Sequence, residues 1–346
     1  MRTFGLLAAL AMMAGTAVPA LAQERVTLVA YGGLFQERYT KAVIEPFMTA
    51  NPDIAVEYFP LQGSAQMLGT LRAQKAAPQA DMTIMDMSVA KTGTDEGLFD
   101  RVDEGVSPHV ADLYPNARFE NVAGVGLTFD NLVLLSDTQA VPTPPSSWGA
   151  LRDPAYKGKV AMLAAPDLVG IGLTVVLDHA AGGTDPIANV DRGIAAMKEI
   201  APNIQTWEPK PEIYPTVANG QVSLGVGWNA RSQVNAETSG GRLAVTLPAE
   251  GSVLQINTIN LVKNAPNAGA ARRFIDYALS PEAQKSFTEA MYYAPTNRNA
   301  DIAPGVIDRT VVKSMDAMIP LDWVALAAVR DRITEQWRRQ VIPLSR

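Results

Sequence analysis

The 346 residues contain no cysteine and only two histidines, His109 and His179. Without cysteine there are no disulfides, no thiol nucleophile, no Cys-ligated zinc and no lipid anchor on a processed N-terminal cysteine. His179 lies in Leu177-Asp178-His179-Ala180 and reads as a solvated or packed helix residue rather than a catalytic base. Gly124-Val125-Gly126, Gly170-Ile171-Gly172 and Gly225-Val226-Gly227 each offer half of a dinucleotide-binding fingerprint. None supplies the third glycine, so they read as turns or close backbone approaches, and no cofactor is expected. Charge is sparse at 18%, and 35 acids against 29 bases give a net −6. That balance argues against nucleic acid as a partner, while 47% hydrophobic residues exclude a disordered chain.

The N-terminus reads as an address. Arg2 is followed by an apolar run from Leu6 to Met13 and then by Ala20-Leu21-Ala22, the small-x-small pattern of a signal cleavage site. The run is too short for a permanent bilayer span. Residues 1–22 are therefore expected to be an export signal, and the rest an exported chain, periplasmic in a cell with two membranes.

Beyond residue 22 the pattern alternates between α and β. Val26 to Tyr31 predicts a strand broken by Gly32-Gly33, and Phe35, Tyr39, Val43 and Phe47 then recur at helical spacing. Ile54 to Tyr58, a helix through Met67 to Leu71, and Met82 to Asp86 complete a parallel-sheet pattern. After the strand-like Val125 to Leu135, the run Val141-Pro142-Thr143-Pro144-Pro145 is too proline-rich for a regular element. A second series then begins, with strands at Lys159 to Ala164, Val222 to Trp228 and Leu243 to Leu247 among helices. Ile256 to Val262 predicts a strand, and the paired helices split at Ser280-Pro281 are long enough to return to the first series. The expectation is an α/β fold of two lobes with a hinge and a cleft. In such sheets ligands meet the carboxyl ends of the strands, where Tyr31-Gly32-Gly33 and Asp86 fall.

Trp228 closes a β-rich run after Gly227, which suits either a cleft wall or a core tryptophan. Arg231 offers a planar fork to an acidic ligand group, or a surface helix arginine. Asp86 ends an apolar strand, where it holds a ligand ammonium or caps the next helix. Tyr292-Tyr293 invites ferric iron held by phenolates, but histidine or glutamate partners are not evident nearby, and one tyrosine walling the cleft is preferred.

Several segments together resemble the bacterial extracellular solute-binding proteins of ABC importers, in their spermidine/putrescine-type branch. These are Ala30-Tyr31-Gly32-Gly33 with Glu45-Pro46-Phe47, Asp153-Pro154-Ala155-Tyr156-Lys157-Gly158-Lys159-Val160, Gly225-Val226-Gly227-Trp228-Asn229, Pro248-Ala249-Glu250-Gly251 and Tyr293-Ala294-Pro295-Thr296-Asn297. The resemblance implies a two-lobe periplasmic-binding fold of type II, with residues 23–130 and 257–300 in one lobe and 131–256 and 301–346 in the other. It also implies a monomer that binds a small solute between the lobes and docks to an inner-membrane permease, without turnover or metal. Tyr31, Gly33, Asp86, Asp167, Trp228, Asn229, Arg231, Asn257 and Tyr293 are the expected ligand residues. Polyamine-binding members carry an aromatic and an acid on the return strand, where this chain has Leu254-Gln255-Ile256-Asn257, and more acids around Asp167. An unpaired buried dication would be costly, so an amino acid, ω-amino acid or aminophosphonate is expected. A polyamine is the alternative, with ferric iron or an exported enzyme on the same fold behind it.

Overall fold

The computed structural model describes residues 23–345; the export signal expected at 1–22 lies outside the described residues. The strands run β1 (Glu24–Tyr31), β2 (Ile54–Leu61), β3 (Met82–Asp86), β4 (Phe99–Asp100), β5 (Val125–Asp137), β6 (Val160–Ala161), β7 (Ile204–Thr206), β8 (Leu224–Trp228), β9 (Leu243–Thr246), β10 (Ser252–Val262), β11 (Ala294–Pro295) and β12 (Met318–Ile319). Their main order is β2-β1-β3-β10-β5-β8-β6-β7.

Alternation in β1 puts Val26, Leu28 and Ala30 in the core, and helical crossovers carry the chain to β2 and β3, both parallel to β1. In the second lobe β6 lies parallel to both β7 and β8. The expected parallel sheets are thus present, and two long strands join them in the opposite sense. All thirteen residues of β5 are buried. Residues from Val125 to Asn131 pair antiparallel with β10, and those from Leu132 to Ser136 with β8. On its other side β10 pairs with β3 through Asn257 to Leu261, and with β12 through Ser252 and Val253. One strand leaves the first lobe and the other returns to it, so the pair is antiparallel. Each changes partners near its middle, β5 between Asn131 and Leu132, and β10 between Val253 and Asn257.

An aromatic cluster anchors the first lobe. Tyr39 meets Phe287 edge-on with centroids 4.9 Å apart, and Phe47 meets Phe274 at 5.0 Å. Burying each such ring contributes roughly 1.5–3 kcal/mol. Ser280 caps the Pro281–Met291 helix through the Ala283 N–H at 3.2 Å, with Pro281 at the first helical position. The helix ends at Tyr292, whose left-handed backbone (φ 60°) turns the chain back toward the cleft.

Candidate ligand-binding site

The carboxyl ends of β1, β3 and β8 deliver Tyr31, Asp86 and Trp228 to one cavity of about 500 Å³ between the lobes. Its floor is β10, which contributes Gln255 and Asn257. Asp167 and Arg231 line it from the second lobe, and Tyr293 lines it from the loop after the Pro281–Met291 helix.

Asp86 is the residue at the start of the Met87–Asp95 helix, yet its side chain makes no cap bond there. Its carboxylate instead accepts from the Ser64 hydroxyl at 2.8 Å and from Gln255 Nε2 at 2.6 Å. Ser64 Oγ also accepts from the Asp86 N–H at 3.0 Å and lies 2.7 Å from the Tyr31 hydroxyl. Burial pushes the Asp86 carboxyl above its ordinary range, and the hydrogen bonds from Ser64, Gln255 and Tyr31, with the charge of Arg330, pull it partly back. Asp167 does cap its helix, accepting from the Val169 N–H at 2.8 Å. Although it reaches solvent through the cleft mouth, the enclosing walls raise it, and Asp86 raises it further. Two carboxylates that disfavour each other's charge form an acidic wall, and a ligand cation would relieve both.

The opposite wall is basic and aromatic. Arg231 donates to Glu212 at 2.9 Å; its side chain is 24% exposed and that of Glu212 51%. Trp228 is half-buried, and its N–H donates to the Tyr214 hydroxyl at 3.2 Å. Gly227 is required under that ring, because a Cβ there would lie 2.7 Å from Tyr214. Tyr293 stacks on Phe287 at 5.7 Å and meets Phe35 edge-on at 5.7 Å, so its ring is held as a rigid wall. Burial raises the phenols of Tyr31, Tyr214 and Tyr293, which therefore remain protonated hydrogen-bond donors.

Seven of the nine expected residues line the cavity, and two do not. Gly33 is exposed and takes φ 68° at the start of the Leu34–Tyr39 helix, where it makes the turn. Asn229 is buried at 4% exposure, donating to the Arg309 carbonyl at 2.8 Å and accepting from Gln233 at 2.9 Å. It fastens the Arg231 helix to the C-terminal segment. The two adjacent tyrosines also part company. Tyr292 bonds Glu237 and accepts from Arg309 at 2.6 Å, with that guanidinium 4.0 Å over its ring, so it cannot join Tyr293 around one ion.

Sequence reasoning missed Ser64, Glu212, Tyr214 and Arg330 as lining residues. The hint for Ser64 was Gly63-Ser64 at a helix start between two strands of the parallel set. Arg330, on the Trp323–Gln336 helix, carried no local signal.

A family model for bacterial extracellular solute-binding proteins matches residues 42–310. The chain belongs to this family. It is 26% identical to the gamma-aminobutyric acid-binding protein of Pseudomonas aeruginosa over 309 residues, covering 82% of this chain and 81% of that one. It is 24% identical to the spermidine/putrescine-binding periplasmic protein of Escherichia coli over 346 residues, covering 97% of each. An ABC transporter substrate-binding protein from Bradyrhizobium japonicum superposes with a TM-score of 0.75 at 20% identity, over 91% of this chain and 99% of that chain. The two-lobe fold is that of periplasmic binding proteins, and the relatives are named as binding proteins, not enzymes. As a solute-binding component of an ABC importer, the protein takes a small molecule in its cleft and delivers it to a membrane permease.

Proposed function

We propose that the ligand is a small zwitterion, an ω-amino acid, amino acid or aminophosphonate, held with its ammonium toward Asp86 and Asp167 and its acidic group on Arg231. The observation that carries this reading is the placing of both charges in one cavity: Asp86 and Asp167, of which Asp86 raises Asp167, and the Arg231 guanidinium. A ligand with both groups gives each buried charge a partner, whereas a dication would face Arg231. The relatives named for gamma-aminobutyric acid and, in Salmonella typhimurium, for 2-aminoethylphosphonate support the same class.

The polyamine reading has its own observation. Glu208 and Glu212 also line the cavity, so four carboxylates stand against Lys210, Arg231 and Arg330. Turnover is not part of the proposal, since the relatives are named as binding proteins. The protein acts as a monomer in the periplasm after loss of residues 1–22, and its lobes, 23–130 with 257–300 and 131–256 with 301–346, close over the ligand about the middles of β5 and β10. Calorimetric titration with γ-aminobutyrate, 2-aminoethylphosphonate and putrescine tests the ligand class. Binding of putrescine alone would overturn it.

A further inference from the structure

Asp130 stands at the middle of β5, where that strand changes partners, and is 1% exposed. Its cross-strand neighbour is Gln255, and the next pair on that face, Thr128 and Asn257, is closed by a 3.0 Å hydrogen bond. Directly paired residues project to the same face of a sheet, and Gln255 and Asn257 line the cavity. Asp130 is therefore beneath the cleft floor on the ligand side.

Its two oxygens are unequal. Oδ1 accepts from the Asn131 N–H at 2.9 Å and from the Ala230 N–H at 3.1 Å, the latter in the first turn of the Asn229–Thr238 helix that presents Arg231. Oδ2 is buried and has no hydrogen-bond partner among the described residues. The groups acting on this carboxyl are Arg231 and the Asn229 and Ala230 amides from that helix, Tyr214 from the Ile213–Ala218 helix and Tyr293 from the late loop, with the Asn131 amide on its own strand and Gln255 across the ladder. The two phenols are neutral, so Arg231, itself paired with Glu212 at 2.9 Å, is the cation that acts on Asp130.

We infer that Asp130 is a proton site linked to the ligand: ionised, it adds to the half-exposed Glu212 in balancing Arg231 while the cleft is open, and it takes a proton when the ligand's acidic group displaces Glu212 from that guanidinium and the cleft closes. The inference rests on the zwitterion reading above. Two anions sharing one cation in a water-excluded site cannot both stay charged cheaply. The ligand's group has the guanidinium fork to itself, while Asp130 has amides on one oxygen only. The proton therefore comes from solvent to Asp130, on its free Oδ2, and leaves the ligand ionised. Burial already holds the Asp130 carboxyl at about 7, so near neutral pH the uptake costs little. The ammonium of the same ligand, arriving beside Asp86 and Asp167, drives proton release instead, so the uptake at Asp130 is read as the difference between wild type and Asp130→Asn.

The test is titration calorimetry of the full chain with γ-aminobutyrate at pH 7.5 in two buffers of different ionisation enthalpy. The expected result is uptake of roughly half a proton per ligand at Asp130, with affinity weakening about threefold per pH unit between 7 and 8. Asp130→Asn, which keeps an acceptor for the two amides, should bind without the uptake and without the pH slope, leaving only the release at Asp86 and Asp167. Should that variant fail to fold, the ¹³C shift of the Asp130 carboxyl in wild type, followed against pH with and without ligand, reads the same exchange directly. Proton exchange on binding that is the same in wild type and Asp130→Asn overturns the inference alone. Failure of γ-aminobutyrate and 2-aminoethylphosphonate to bind overturns the zwitterion reading, and the inference with it.

Discussion

Arg231→Ala separates the candidate ligands most sharply, and its size can be worked from the site. In the closed cleft the substitution leaves a ligand acid without its counter-charge, a loss of about 3–5 kcal/mol for a buried pair. Arg231 is not free beforehand, since it must loosen its bond to Glu212 to serve the ligand. That bond is a half-exposed ion pair of the kind contributing about 0–1 kcal/mol, so the net loss is about 2–5 kcal/mol. Affinity for γ-aminobutyrate should fall by roughly 30- to 5,000-fold. Arg231→Lys keeps the charge but not the fork and should recover part of the loss. Putrescine should bind the alanine variant no worse than wild type. Paired calorimetric titrations of both proteins with both ligands measure this, and urea unfolding supplies the stability control. Tight binding of γ-aminobutyrate that ignores the substitution would refute the placement of the acidic group; tight putrescine binding with no zwitterion response would refute the ligand class.

Trp228→Ala should weaken binding at least tenfold with a small change in melting temperature, because the ring is half-buried in the cleft wall. Trp337→Ala is the control: that ring is 0% exposed, bonds Thr174 at 2.9 Å, and should cost about 3–5 kcal/mol of folding free energy on removal. Small-angle scattering should record a smaller radius of gyration on ligand saturation, and superimposable curves would refute hinge closure. Stability should also respond to Asp130. Its folded carboxyl sits near 7 and its unfolded one near 4, so its favourable contribution is complete below about pH 4 and is lost as pH rises through 7, by up to about 4 kcal/mol. Urea unfolding of wild type and Asp130→Asn at pH 5 and pH 8 measures this, and equal pH dependence in the two would sink it.

The alternation of strand and helix was legible because the periods are local. A strand's end is marked by a break such as Gly32-Gly33, and the carboxyl ends of parallel strands collect on one edge. Tyr31, Asp86 and Trp228 all became visible in that way. Gly33 and Asn229 fall outside the cavity lining, because one or two steps past the strand end move a residue from the cleft into a turn or onto a packing face. Residues brought by packing left no such mark. Glu212 and Tyr214 reach the cleft from a six-residue helix and its N-terminal edge, and Arg330 from a segment more than 160 residues beyond the Asp167 turn it leans on through the Pro166 carbonyl.

Asp130 is a different kind of omission, since its signal is local and strong: an acid inside an otherwise apolar run that reads as a strand. An apolar strand does not tolerate a carboxylate unless something answers the charge. The answer lies 100 residues away, where the Ala230 amide and Arg231 close over it. That arrangement ties the second lobe's ligand-binding helix to the strand on which the lobes turn. A substitution at Asp130 should then alter closure as well as ligand charge, and the two separate by experiment. Scattering at pH 6 compares Asp130→Asn with a wild type already protonated there, so any remaining difference in the compaction produced by ligand reports the tie itself. Equal compaction at pH 6 with unequal compaction at pH 8 would assign the effect to charge alone.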